Sequence, residues 1–161
     1  MACLPNNLGP QPPQPDCRIH RGHGILEADF NSDAAHLATV RTAIESLCTE
    51  GGFDAKATGE IGLVVNEAIA NIIRHAYGSA ENMPIHIKAQ INGTGPESEF
   101  EITLRDWGNG KCPSELINPK SPDPLTPGGL GLICMHKMMD QVLFTPQSRG
   151  MLLTMRRKRT A

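Results

Sequence analysis

GLVVNEAIANIIRHAYG, Gly62 to Gly78, places Val, Ile and Ala at helical spacing and, in the same turns, Glu67, Asn71 and His75 at intervals of four. At 3.6 residues per turn, positions four apart drift by roughly 40° around the axis, so the three polar side chains span only about 80°. They share a face with Glu60, Arg74 and Gly78, and opposite them Ile61, Val65, Ile69, Ile72, Ile73 and Ala76 form an apolar stripe able to cover a sheet. On periodicity alone the polar line is the wet side of an amphipathic helix. Its composition pulls the other way: exposed stripes favour Lys, Glu and Gln, whereas this one has Asn, His and Gly and is bordered by Val64 and Ala68. A small-residue border suits the wall of a cleft. A carboxylate and a carboxamide about 6 Å apart along a helix can serve one ligand, the amide oxygen favouring a hard cation such as Mg²⁺ and the carboxylate polarising a hydroxyl.

Working outward, Asp54 is placed to cap this helix, and Gly51 and Gly52 stop a preceding one that runs from about Asp33 to Glu50. Ser32 and Asp33 suit the start of that earlier helix, and ILEADFN, Ile25 to Asn31, alternates as a strand before it. Beyond Gly78, PIHIKAQI (Pro84 to Ile91) and EFEITLRD (Glu99 to Asp106) predict a hairpin across Asn92 to Pro96. Lys111 to Pro127 has five prolines and reads as a long loop, after which a helix runs to about Met139 and QVLFT and MLLTMRR close an antiparallel pair. Strands and helices in this order, without strict βαβ alternation, predict an α+β two-layer sandwich and not a doubly wound sheet.

The chain has 161 residues with 39% apolar content, enough for one domain and one core. Leu4 to Pro15 is rich in Pro, Gln and Asn, so residues 1–24 are expected as a disordered tail and 25–161 as the folded domain. Fifteen basic against seventeen acidic residues give a formal charge of −2, which excludes a general attraction to nucleic acid or an anionic membrane. The one basic run, Arg156 to Arg159, is short and lacks aromatic residues, as a solubilising end would. Five scattered cysteines without C-x-x-C spacing fit free thiols in a reducing cytoplasm, and no stretch is both long and apolar enough to span a bilayer.

Two glycine clusters flank the long loop. RDWGNG, Arg105 to Gly110, follows a strand; Asn-Gly is ordinary turn chemistry, and equally Asp106 can accept a hydrogen bond from an amino group while Gly108 and Gly110 admit a flat ring to the backbone. PGGLGL, Pro127 to Leu132, precedes a helix, where exposed amides and a positive helix end suit phosphate oxygens. It matches neither the P-loop nor the dinucleotide-binding turn.

In order, N-E-A-I-A-N-I-I-R-H-A-Y, D-W-G-N-G, a loop and G-G-L-G-L resemble the N, G1 and G2 boxes of the GHKL or Bergerat-fold ATPases. The nearest likeness is to the anti-sigma-factor serine/threonine kinases of bacterial partner-switching systems, and it covers roughly Ile25 to Arg157. The resemblance implies a mixed, mostly antiparallel sheet covered on one face by helices, and ATP with Mg²⁺ as cofactors. Carried over by position, Glu67 would be the general base, Asn71 the Mg²⁺ ligand and Asp106 the acceptor for the adenine amino group, with Gly108 and Gly110 admitting the base. Gly128, Gly129, Leu130, Gly131 and Leu132 would line the cofactor, Gly129 and Gly131 supporting the phosphate contacts and the lid, Lys111 to Pro127. His75 matches a His common in this subfamily and joins the cofactor-binding set.

The implied activity is phosphorylation of an anti-sigma-factor antagonist and sequestration of a sigma factor, in the cytoplasm, with homodimerisation and without direct contact to nucleic acid or membrane. Family members often carry Gly-Thr near the last strand, where this chain has Gly150-Met151 with Thr154 further on, and the lid has Lys111 and Lys120 but no Arg. Those departures motivate a second reading, a non-catalytic adenine-nucleotide-binding module acting as a partner switch.

Overall fold

A computed structural model describes residues 17–109 and 129–160. Its strands are Arg18–Gly22 (β1), Ile25–Asn31 (β2), Pro84–Asn92 (β3), Glu99–Asp106 (β4), Gln141–Pro146 (β5) and Met151–Lys158 (β6). They form one sheet in the order β1-β2-β3-β4-β6-β5. The helices are His36–Glu50 (α1), Ala55–Asn71 (α2) and Gly129–Met138 (α3), and α2 passes directly into a π-helical turn, Ile72–Ala76.

The α+β sandwich expected from the sequence is what forms, with one difference in the sheet. Every neighbouring pair among the described residues is antiparallel, so the parallel pairing of a mixed sheet is not present. The connections explain this. Between β2 and β3 the chain crosses on two successive helices and returns reversed. β4 and β5 point the same way, but β6 inserts between them, antiparallel to both.

Alternation along the strands sends Leu26, Ala28 and Phe30, then Ile85, Ile87 and Ala89, then Phe100, Ile102 and Leu104 to one face, all fully buried. The helices cover that face with Val40, Ile44, Ile61, Val64, Val65 and Ile69; each such side chain contributes about 1.5–3 kcal/mol by leaving water. Val64 and Ala68 belong to this core. The opposite face carries cross-strand polar pairs, with His86 Nδ1 2.7 Å from Asp29 Oδ1 and Gln90 donating to Glu101 at 3.0 Å.

Three expectations change. Arg18–Gly22, assigned to the tail on its sequence, is the edge strand β1 paired to β2, so the folded part starts before Ile25. Its mostly exposed burial pattern leaves no apolar signature. Ser32 does not cap α1: its hydroxyl donates to Ala80 O at 2.6 Å and accepts the Met83 amide at 3.1 Å, while Asp33 accepts the Ala35 amide at 2.9 Å. Asp54 caps α2 as expected, accepting from Ala57 N at 2.7 Å.

The basic run is also not merely a solvated end. Arg157 reaches Glu60 of α2 at 2.7 Å and donates to Met138 O at the end of α3 at 2.8 Å, placing its charge at a helix C-terminus. Among the described residues no helix is long and apolar enough to cross a membrane.

Candidate functional site

The polar line on α2 divides once it is folded. Asn71 is buried, Glu67 is half-buried and His75 is exposed. The change comes at Ile72, where the backbone turns from α to π geometry and Tyr77 N–H reaches back to Ile72 O at 3.0 Å, so the four-residue register ends at Asn71. Arg74 in that widened turn points back along the helix: its Nη2 lies 3.4 Å from Asn71 Oδ1 and 4.0 Å from Glu67 Oε2. One cationic group thus spans the carboxamide oxygen and the carboxylate.

The glycine segment at the start of α3 closes on the same carboxylate. A β-carbon built on Gly131 would come within 2.7 Å of Glu67 Oε2, so the Glu67 carboxylate occupies the place where a side chain at position 131 would stand. Leu132, beside it, packs into the hydrophobic core. Gly110, Gly128 and the lid, Lys111 to Pro127, lie outside the described residues, as does the side chain of Leu130.

The second cluster packs against the far end of the same helix. Asp106 continues the inward alternation of β4 after Ile102 and Leu104 and is 4% exposed, a carboxylate facing the helix layer. Burial pushes its pKa up, opposed by the Gly108 amide, by the Arg105 guanidinium and by the Met151 amide. Gly108 N–H donates to Asp106 Oδ1 at 2.9 Å, an Asx turn that curls the chain back after the strand. A β-carbon on Gly108 would fall 2.2 Å from Ala76 O, and Asn109 N–H donates to that same carbonyl at 3.2 Å. The end of the α2 helix and the turn after β4 are therefore in direct backbone contact.

Residues to which the sequence assigned no role in the site complete this region. Tyr77, 7% exposed, donates its hydroxyl proton to Pro84 O and accepts the Trp107 amide at 2.9 Å. Gly150 has φ +80°, and a β-carbon there would lie 2.1 Å from Asp106 O, so the β5–β6 turn rests on the strand end that carries Asp106. Arg149 donates to Trp107 O at 3.0 Å, and Arg105 sits 4.6 Å over the Trp107 ring. Buried Tyr and a left-handed Gly at a hairpin are ordinary sequence features; only their non-local partners mark them.

The donor set near Glu67 and Asn71 fits a magnesium ion held together with a nucleotide. The space between Asn71 Oδ1 and Glu67 Oε2 already accommodates a positive group, Arg74, and a neutral amide oxygen is a hard ligand. Among the described residues no group of three or more His, Cys, Asp or Glu gathers to hold a metal by itself. An ion here would take most of its ligands from phosphates and water, as Mg²⁺ does.

The family described as the histidine kinase-like ATPase domain matches residues 30–157. The chain belongs to that family. The match takes in α1, α2, α3 and all strands from the end of β2 onward. Among curated relatives, the chain is 26% identical over 138 residues to the serine-protein kinase RsbW of Oceanobacillus iheyensis, covering 81% of this chain and 85% of that protein. It is 31% identical over 116 residues to the anti-sigma F factor of the same organism, covering 70% of this chain and 77% of the other. A crystal structure of the RsbU and RsbW domains of a Mycobacterium tuberculosis protein superposes with a TM-score of 0.62 at 16% identity. That likeness covers 85% of this chain and 33% of the other, and it bears on the fold.

As a histidine kinase-like ATPase domain, the chain is a nucleotide-using protein, and its two glycine clusters come together in the fold. Both close on one helix: Gly108 at its end and Gly131 against Glu67.

Proposed function

We propose that this protein is an ATP-dependent serine/threonine kinase and anti-sigma factor that phosphorylates an anti-sigma-factor antagonist and sequesters a sigma factor. The observation that carries this is the contact of Gly131 with the Glu67 carboxylate, one helical turn before the buried Asn71. The names of the relatives, a serine-protein kinase and an anti-sigma F factor, support the same reading.

In this reading Asp106 accepts a hydrogen bond from the adenine amino group, and Gly108 gives the flat base room at the backbone. Asn71 Oδ1 would hold Mg²⁺, which when bound supplies charge neutralisation at the phosphates. Glu67 accepts the proton of the incoming serine or threonine hydroxyl as its oxygen bonds to the γ-phosphorus; the bond from that phosphorus to the β-bridging oxygen breaks and ADP leaves. Arg74, within 4.0 Å of Glu67 Oε2, keeps the carboxylate oriented before nucleotide arrives. The setting is the cytoplasm, and the working unit is a homodimer.

The test is transfer of labelled γ-phosphate from Mg-ATP to the antagonist encoded nearest this gene. Glu67→Gln keeps the size of the side chain and removes the base, so transfer falls by about 10²–10⁴ with nucleotide binding retained. Undiminished transfer in that variant overturns the assignment of the base.

One observation favours a second reading. Residue 151, whose backbone amide bonds the Asp106 carboxylate, is Met where family members often carry threonine; the lack of a side-chain hydroxyl at this point would suit a module that holds nucleotide as a switch without transfer. Calorimetric binding of ATP and ADP without turnover would select it.

A further inference from the structure

We propose that Tyr77 is a positioning residue for the nucleotide site, its hydroxyl acting as a wedge that diverts the chain after β4 onto the end of the α2 helix. This rests on the nucleotide-site assignment above. The β3–β4 ladder ends at Ile85 opposite Asp106. One step further, Pro84 stands opposite Trp107, and there the backbone groups do not meet directly. The Tyr77 hydroxyl lies between them, accepting the Trp107 amide at 2.9 Å and donating to the Pro84 carbonyl. A side chain from the helix layer has taken the place of the next ladder bond.

The consequence is seen in the following residues. With Trp107 held off β3, Gly108 passes against Ala76 O and Asn109 N–H donates to it at 3.2 Å, Ala76 being the residue before Tyr77. Residues 76–77 thus form the bed on which residues 107–109 rest, and Asp106 is the last residue before the diversion. Burial pushes the Tyr77 hydroxyl pKa up to about 12, so it stays protonated at neutral pH and can donate and accept together.

Phenylalanine at this position leaves the ring packed but removes the wedge. The Trp107 amide is then free to bond the Pro84 carbonyl directly, adding one pair to the ladder and drawing residues 107–109 off the helix end. Tyr77→Phe is therefore expected to fold, with a two-state melt by circular dichroism, while ADP dissociation constant and KM for ATP rise about tenfold and kcat changes by less than about twofold. A general loosening of the structure would move kcat as well, so the split distinguishes positioning from bulk support. Trp107 is the single tryptophan of the chain, and its emission in the nucleotide-free variant should differ from wild type.

Nucleotide binding by Tyr77→Phe equal to wild type overturns the proposal and leaves the nucleotide site standing. A wild-type protein that binds no adenine nucleotide overturns both. Should the variant not fold, amide exchange on the wild-type protein decides: Trp107 N–H, which is outside the strand ladder, is expected to be protected, and exchange at the rate of a free peptide overturns the proposal.

Discussion

Gly131, in the first turn of α3, lies so close to Glu67 of α2 that a β-carbon at position 131 would stand 2.7 Å from the Glu67 carboxylate oxygen. The atom in the way is the far end of a flexible side chain, so the fold can absorb the methyl group by turning Glu67 aside. Helix propensity even favours alanine over glycine by about 1 kcal/mol. Gly131→Ala should therefore match or exceed wild type in a thermal melt while phosphoryl transfer falls about 10- to 100-fold, because in the role proposed for Glu67 the displaced group is the one that meets the hydroxyl. Loss of stability without loss of transfer would show that the contact serves packing alone.

Asp106 separates binding from stability in a different way. Burial raises its folded-state pKa above the ordinary 3.8, so folding favours the protonated form. Its contribution to stability is fully present below 3.8 and is lost as the pH rises through the raised value. Asp106→Asn removes that loss. Relative to wild type, the variant should gain stability between pH 3.8 and neutrality, measured by melts across the range. Its affinity for adenine nucleotides should drop about 10- to 100-fold, the worth of a hydrogen bond to a charged group.

At Gly150 a substitution meets backbone, which cannot turn aside. A β-carbon would be 2.1 Å from Asp106 O and 2.6 Å from Trp107 Cα, and φ is +80°. Gly150→Ala should cost about 1–3 kcal/mol in denaturant unfolding and weaken nucleotide binding, since the β5–β6 turn must lift away from the strand end that carries Asp106. Unchanged nucleotide affinity in a destabilised variant would confine Gly150 to a structural role.

The legible parts of this fold were those written in local periodicity. Phe100, Ile102 and Leu104 alternate, and the same alternation carries Asp106 inward; Ile61, Val65 and Ile69 mark the covered face of α2. Asp54 and Gly51 punctuate their helices as their chemistry requires. β1 was not legible because RIHRG forms an edge strand with almost nothing to bury, and the ladder to β2 carries no side-chain pattern. The π turn was not legible either: Ile72 and Ile73 continue an apolar stripe in α register, and nothing local records that the hydrogen bond from Tyr77 skips to Ile72. Within the candidate site, the types of residue at Glu67, Asn71, Asp106, Gly108 and Gly131 could be named from motifs. That Gly131 meets Glu67, Gly108 meets Ala76 and Gly150 meets Asp106 depends on chain segments far apart, and spacing within one segment holds no information on them.

Arg157 shows the same limit and offers a test of how the two cleft helices are held. It stood in a basic run that composition alone assigns to solvent, yet it lies on the core side of β6, in line with Leu153 and Met155. Its guanidinium joins Glu60 of α2 at 2.7 Å to the Met138 carbonyl of α3 at 2.8 Å. The pair is partly shielded, with side-chain exposures of 15% and 26%, so it lies between a surface bridge and a buried one. Arg157→Met keeps the apolar stem and removes both bonds, and should lower stability by about 1–3 kcal/mol. In a double-mutant cycle with Glu60→Gln, a coupling energy of about 0.5–1 kcal/mol is expected at low salt, shrinking as salt is raised. Because Arg157 fixes the far end of α3 while Gly131 fixes the near end against Glu67, Arg157→Met should also lower phosphoryl transfer by a few-fold, and Arg157→Lys should restore part of the stability but not the two-point geometry. Full activity in Arg157→Met at a temperature where it is still folded would show that α3 is positioned from its N-terminal end alone.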